Sequence, residues 1–140
     1  MSQRAKDEVA IRQAILDYYM ISNKVSMDPQ ADIDLLRDVA AGQLLKVDLS
    51  VIEEWRAKGW RSTKPVIVEN LAVTSIEQHR VRATAAYCVN STGVDVLDPG
   101  GKSQVVEGRP NLFPTITLLE KWDNTWLPVR ERAGGSTCND

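Results

Sequence analysis

The sequence predicts an α+β fold: a cone-shaped domain in which three N-terminal helices pack on a strongly curved antiparallel β-sheet. The main observation is a change in apolar periodicity near Gly59-Trp60, from about 3.6 residues, typical of helices, to about 2, typical of strands. A second observation is that no repeat, low-complexity tract or Pro/Gly/Ser-rich linker divides the 140 residues. We therefore expect a single domain over residues 1–140, with residues 1–6 and 139–140 frayed.

The first half of the chain predicts three helices from apolar residues at helical spacing. The first two are expected at Asp7–Ser22 and Ala31–Leu45. Either Asp48 or Ser50 can cap the third helix, and Ser50 with Glu53 matches a capping box. This helix should end at Gly59, because glycine readily adopts the left-handed conformation found after many helices.

The second half predicts strands that alternate between apolar and polar residues. They are expected at Lys64–Ser75, Arg80–Asn90, Gly93–Val96, Ser103–Val106, Thr115–Trp122 and Trp126–Arg132. The alternation is clearest in Arg80–Asn90, where every second residue from Val81 to Val89 is apolar. Turn-forming sequences separate paired strands at Glu77–His79, Asp98–Gly101 and Asp123-Asn124. One sheet curved around the first helix would leave a hollow between them.

The composition excludes several classes of protein. With 43% hydrophobic and 26% charged residues, it is that of an ordinary globular domain. The 17 basic and 19 acidic residues leave a net charge of −2, which argues against nucleic-acid binding through bulk positive charge. No apolar run approaches the ~20 residues of a membrane-spanning helix, and Met1–Ala10 does not form a signal peptide.

The two cysteines, Cys88 and Cys138, favour a structural disulfide over two unrelated thiols. Cys88 lies in a predicted strand, and Cys138 lies in a tail that follows Gly134-Gly135. A zinc site is not expected, because two thiols and the lone His79 provide too few ligands. A bridge would stabilise the fold by roughly 4 kcal/mol in the chain-entropy model and would persist in an oxidising compartment. We therefore expect a protein outside the cytoplasm whose export signal has been removed from this chain.

The order of elements resembles the nuclear-transport-factor-2-like (cystatin-like) superfamily. In the second half, several stretches resemble exported lipoproteins of actinobacteria and their phages: Tyr87–Val96, Gly101–Ser103, Arg109-Pro110, the hairpin Thr117–Trp126, and the ending Gly134, Gly135, Ser136 and Cys138. This resemblance implies an extracytoplasmic domain tethered through an N-terminal lipidated cysteine. No such cysteine precedes Arg4, so contact with a membrane is expected only through a missing lipid anchor.

These observations together predict a non-enzymatic domain of the cell envelope, linked to a phage or prophage. We expect it to bind a partner protein or a small apolar ligand, without a cofactor, a metal or nucleic acid. One alternative is an enzyme similar to the polyketide cyclases and ketosteroid isomerases. Another is an assembly subunit of a conjugation or secretion machine, associating or dimerising through the open sheet face.

An enzyme would need an acid or base inside the hollow, and a pocket of at least ~300 Å³. The candidates are Asp17 and Tyr18, which could polarise a carbonyl together, and Asp95, which lies between two valines. Each also has an ordinary structural role: an outward carboxylate, a core aromatic residue, and a partner for turn amides. The lone His79 is expected in solvent at a hairpin tip.

The tryptophans are candidate binding residues, since exposed tryptophans often anchor partners. Trp60 and Trp122 are the candidates, with core packing as the alternative for each. Trp55 and Trp126 are expected in the core.

Overall fold

In the computed structural model, which describes residues 1–138, two long helices and a short 3-10 helix precede six strands. The helices are α1 (Gln3–Met27), the 3-10 helix (Ile33–Asp38) and α2 (Gly42–Lys58). The strands are β1 (Arg61–Ser62), β2 (Ile67–Ile76), β3 (Arg82–Asn90), β4 (Val96–Leu97), β5 (Leu112–Trp122) and β6 (Thr125–Ala133). The predicted α+β class is confirmed. The expected fraying at residues 139–140 lies outside the described residues.

The main sheet is antiparallel with the order β2-β3-β5-β6, and α1 crosses its inner face. Ile11 and Ile15 of α1 are fully buried there. They belong to a core whose other buried members are Ala83, Ala85, Tyr87, Leu119 and Trp126. The face predicted from the alternation in β3 is therefore the one that packs against the helix. None of the helices in the described part of the chain combines the length and apolar character that a bilayer crossing requires.

The predicted boundaries of the first two helices are wrong. The first helix begins at Gln3 and ends at Met27, so it is longer than expected at both ends. The second is only the short 3-10 helix, because the chain leaves helical geometry before Ala41, whose N–H donates to the carbonyl of Pro128 at 3.0 Å. Gly42, with φ of 57°, then starts α2 close against Val129. Contacts with β6 thus decide this boundary.

The capping prediction for the last helix is also wrong, although its predicted end is correct. Asp48 and Ser50 lie inside α2, and Ala41 precedes the helix without a side-chain cap. Gly59 ends the helix in the left-handed conformation, with φ of 73°.

The strand predictions hold best where a hairpin is closed by a short turn. Asp123 and Asn124 both have positive φ and join β5 to β6, as expected for a two-residue hairpin turn. The predicted pairing of Gly93–Val96 with Ser103–Val106 is confirmed only in part: Leu97 bridges Ser103, and the N–H of Gln104 donates to the carbonyl of Val96 at 2.7 Å. In addition, β4 pairs with β1, the short strand that directly follows α2, and the two form a separate two-stranded sheet.

The C-terminal strap (Gly134–Cys138) lies across the sheet and is covalently attached to it. A disulfide joins Cys138 to Cys88 of β3, as the sequence predicted. The Thr137 hydroxyl donates to the carbonyl of Tyr87 at 2.6 Å. The Asn70 amide of β2 donates to the carbonyl of Thr137 at 2.9 Å, at a bulge where Asn70 has a φ of 55°. The strap is therefore fixed to both β2 and β3.

Candidate functional site

A cavity of about 390 Å³ lies between α1, α2 and the sheet, where the sequence predicted a hollow. Most of its wall is apolar, formed by Val25, Leu36, Val51, Ile52, Trp55, Val66, Val89, Val94, Val96 and Phe113. The charged residues of its lining are Asp48 and Arg109. An apolar wall with a few polar groups, in a volume of roughly 300–1,000 Å³, is typical of sites for small molecules.

The polar side of the cavity begins with a tyrosine–aspartate pair between the two long helices. Tyr18 of α1 donates its hydroxyl proton to Oδ2 of Asp48 of α2 at 2.5 Å, and both side chains line the cavity. Burial raises the pKa of the Asp48 carboxyl, and the hydrogen bond from Tyr18 offsets part of this. Burial and the negative charge of Asp48 raise the pKa of Tyr18 far above its usual range. Tyr18 is therefore a fixed donor, whereas Asp48 holds its proton to a higher pH than a free aspartate.

A second hydroxyl network continues from the cavity into the core. The hydroxyls of Tyr19 and Tyr87 are 3.0 Å apart, and that of Tyr87 is 2.7 Å from Oγ1 of Thr117. Burial raises the pKa of Tyr87 to about 12. The rings of Tyr19 and Tyr87 meet edge to face. These contacts fix Tyr19, which lines the cavity, against the sheet.

Two buried polar atoms of the cavity wall have no hydrogen-bond partner within residues 1–138: Oγ of Ser22 and Nε of Arg109. Ser22 follows Tyr18 by one turn of α1, so the two side chains share a helix face. Arg109 precedes β5, and its Nη2 donates to the carbonyl of Val94 at 2.9 Å. The described part of the chain therefore leaves a hydroxyl and a guanidinium N–H unpaired beneath the surface of this wall.

The structure brings one of the three predicted catalytic candidates, Tyr18, into the cavity. Asp17 lies outside the cavity lining and accepts a hydrogen bond from Gln13 on the surface of α1. Asp95 accepts from the Ser103 hydroxyl at 2.6 Å and from the N–H of Val96 in β4, so these partners differ from the turn amides expected from the sequence. His79 is exposed in the turn before β3.

Asp48 is the cavity carboxylate that sequence reasoning missed as a site residue. Leu44, Asp48 and Ile52 recur every fourth residue, and the two apolar members are buried. An aspartate within such a stripe faces the core side of a helix, whereas a capping aspartate precedes the stripe. This position in the apolar pattern was the available signal.

The tryptophans divide between the core, the cavity and the surface. Trp126 is buried in the core as predicted, and the half-buried Trp55 lines the cavity. The ring of Trp60 is 6.5 Å from that of Trp55, and Nζ of Lys58 is 4.5 Å from the Trp60 centroid. Trp122 is 49% exposed beside the β5–β6 turn. The binding roles of Trp60 and Trp122 stay predictions.

No family model matches this sequence, and no match was found among curated proteins. Among solved structures, it resembles the intermembrane-space region of the chloroplast protein ARC6, with a TM-score of 0.67, 15% identity, and coverage of 97% of this chain and 98% of that one. It also resembles a protein described as an aromatic ring hydroxylase from Novosphingobium aromaticivorans, with a TM-score of 0.58, 18% identity, and coverage of 92% and 88%.

Likeness at these identities shows the fold alone, which is nuclear-transport-factor-2-like. The predicted fold is thereby confirmed, whereas membership of the superfamily stays a prediction. The narrower resemblance to exported lipoproteins stays a prediction. Within residues 1–138, no group of three or more His, Cys, Asp and Glu side chains could hold a metal ion.

Proposed function

We propose that this chain is a non-enzymatic, extracytoplasmic domain that binds a small, mainly apolar ligand in the cavity between α1, α2 and the sheet. The observation that carries this proposal is the cavity itself, an open hollow of about 390 Å³ with a largely apolar wall. Removing apolar ligand surface from water contributes roughly 25 cal/mol per Å². Burying ~200 Å² would therefore provide about 5 kcal/mol before the costs of association.

The disulfide supports the proposed location. Structural disulfides such as Cys88–Cys138 are typical of oxidising compartments. The finer proposals, a lipid-anchored protein of the cell envelope and a link to a phage or prophage, rest on the sequence resemblance. Mass measurement after alkylation, with and without reductant, tests the location: two free thiols in protein made under oxidising conditions would refute it.

Ligand binding is tested with 1-octanol, a small apolar probe, by titration calorimetry. Val51 and Val47 lie one turn apart on α2 and are 45% and 49% exposed, but only Val51 lines this cavity. We expect Val51→Trp to weaken octanol binding at least tenfold, because the added indole occupies the cavity rim. The matched control, Val47→Trp, should bind as the parent does. The absence of saturable octanol binding to the parent protein would refute the proposal.

A second candidate function is an enzyme similar to the isomerases and cyclases. One observation favours it: the cavity exceeds ~300 Å³ and contains a carboxylate, Asp48, held by the Tyr18 hydroxyl. A buried carboxyl with a raised pKa can act in proton transfer near neutral pH. Under this alternative, Asp48→Asn would abolish turnover of a ketosteroid or polyketide substrate. Turnover by the parent and its loss in this variant would replace the non-enzymatic proposal.

Binding of a protein partner, or of a second copy of the chain, would use a different surface. The outward-facing residues of β5 form a half-buried apolar row, Leu112, Pro114, Ile116 and Leu118. Trp122 is exposed at the end of the same strand. Sedimentation of the parent and of Ile116→Asp tests self-association through this face, since the charge should dissociate a dimer formed there.

A further inference from the structure

We infer that the ligand of this cavity is an aliphatic or aromatic molecule with an anionic oxygen group, and that Arg109 binds this group. The conclusion rests on the ligand-binding function proposed above and adds the chemical class of the ligand. Its basis is the environment of the Arg109 guanidinium, together with the unpaired polar atoms of the cavity wall.

Arg109 is held in place on one side only. Its Nη2 donates to the carbonyl of Val94 at 2.9 Å and to that of Ser91 at 3.5 Å. Its Nε is buried and has no partner among the described residues. A guanidinium carries five N–H donors in a rigid fork that matches the two oxygens of a carboxylate. The side chain is thus fixed through Nη2, and its other N–H groups remain without an acceptor among the described residues.

The charge of Arg109 is also uncompensated within residues 1–138. Arg4, Arg37, Arg80 and Arg82 each have a carboxylate within 4.0 Å, whereas no described carboxylate lies that close to Arg109. Other arginines without such a partner do not line the cavity. A partly buried cation in an apolar wall is costly unless an anion accompanies it. A ligand anion beside the guanidinium would supply that charge.

The two charged residues of the wall give the cavity a direction. Four buried side-chain polar atoms in the described residues have no partner, and two of them, in Ser22 and Arg109, line this cavity. Asp48, the acidic residue of the lining, is already paired with Tyr18 on the helical side. Arg109 instead belongs to the segment between β4 and β5. An anion is therefore expected at the Arg109 side, with the apolar body against the valines and Trp55.

The test compares octanoic acid with 1-octanol, two probes of equal chain length, by titration calorimetry at pH 7, where the acid is ionised. The readout is the ratio of the two affinities within each protein, so a general loss of cavity shape cancels. We expect the parent to bind octanoate about tenfold more tightly than octanol. Arg109→Gln should bring the ratio to about one, and Arg109→Lys should leave it between the two, because lysine keeps the charge without the fork.

Arg130→Gln is the matched control, since Arg130 is exposed on β6 and does not line the cavity. It should keep the ratio of the parent. Equal affinity of the parent for both probes would overturn this inference and leave the proposed function standing. A preference for octanoate that survives Arg109→Gln would also overturn it, because the anion would then bind elsewhere. Binding of neither probe would overturn the proposed function and this inference together.

Discussion

The two halves of α1 cross the same sheet, yet one half is packed solid and the other borders a cavity. In the N-terminal half, Ile11 and Ile15 are fully buried against Tyr87 and Trp126. In the C-terminal half, Ser22, Asn23 and Ser26 face the cavity, and their small polar side chains leave space unfilled. Stability and binding are therefore expected to reside at opposite ends of one helix, and substitutions should separate them.

The largest loss of stability is expected when the covalent attachment of the strap to β3 is removed. Cys138→Ser should lower the free energy of unfolding by about 4 kcal/mol, because it removes the constraint on the unfolded chain. Octanol binding should persist, since no residue of the strap lines the cavity. Urea unfolding and calorimetry provide the two measurements. Ser136→Ala, an exposed change within the strap, is the control; a similar loss in both variants would contradict the prediction.

The next effect concerns the packed half of α1. Ile15→Ala should lower the free energy of unfolding by about 3 kcal/mol, because it removes fully buried methyl groups and leaves a void. The neighbouring Leu16 is 45% exposed, and Leu16→Ala should cost about 0.5 kcal/mol or less. Urea unfolding of both variants tests the difference. Equal losses would mean that the two faces of this helix half are packed alike.

An intermediate effect on the free energy of unfolding is expected from Asp48, whose contribution to stability depends on pH. Burial raises the pKa of its carboxyl in the folded state above the usual value of about 3.9, so the folded state binds the proton more tightly than the unfolded state. Its contribution therefore favours folding at low pH and is lost as pH rises through the folded pKa. Asp48→Asn should become more stable relative to the parent as pH rises from about 4 to 7. A constant difference across that range would contradict the prediction.

The smallest predicted change in the free energy of unfolding concerns two serines of the cavity wall, and it should have opposite signs at the two positions. The Ser22 hydroxyl is buried without a partner, whereas that of Ser26 donates to the carbonyl of Asn23 at 3.1 Å. Ser22→Ala should leave stability unchanged or raise it by up to about 1 kcal/mol, and Ser26→Ala should lower it by a similar amount. Urea unfolding measures both. A loss for Ser22→Ala as large as that for Ser26→Ala would show that its hydroxyl is satisfied.

The packed region formed by β3 and the β5–β6 hairpin is more predictable from the sequence than the region around the cavity. The face of β3 and the turn at Asp123-Asn124 follow from local patterns, since strand alternation and hairpin turns depend on adjacent residues. The break before α2 depends on the contact between Ala41 and Pro128, which no local pattern contains. Local capping rules therefore placed a helix start within α2.

The cavity residues escaped prediction for a related reason. Asp48 was interpreted as a cap, although it lies within the apolar stripe of α2. Arg109 entered only through a resemblance, because its position depends on a contact between the segment before β5 and the carbonyl of Val94, which no local pattern contains. Tyr18 is predictable because Ile11, Ile15 and Tyr18 recur at helical spacing within one helix.

The closed loop from Cys88 to Cys138 also determines how the protein responds to mechanical force. Pulling on the two ends of the oxidised chain transmits tension through the sulfur–sulfur bond into β3, so β5 and β6 lie outside the loaded path. The 50 residues of sequence separation bypassed in this way correspond to roughly 170 Å of extended polypeptide. Two of the four strands in the main sheet are thereby shielded from being peeled away one at a time.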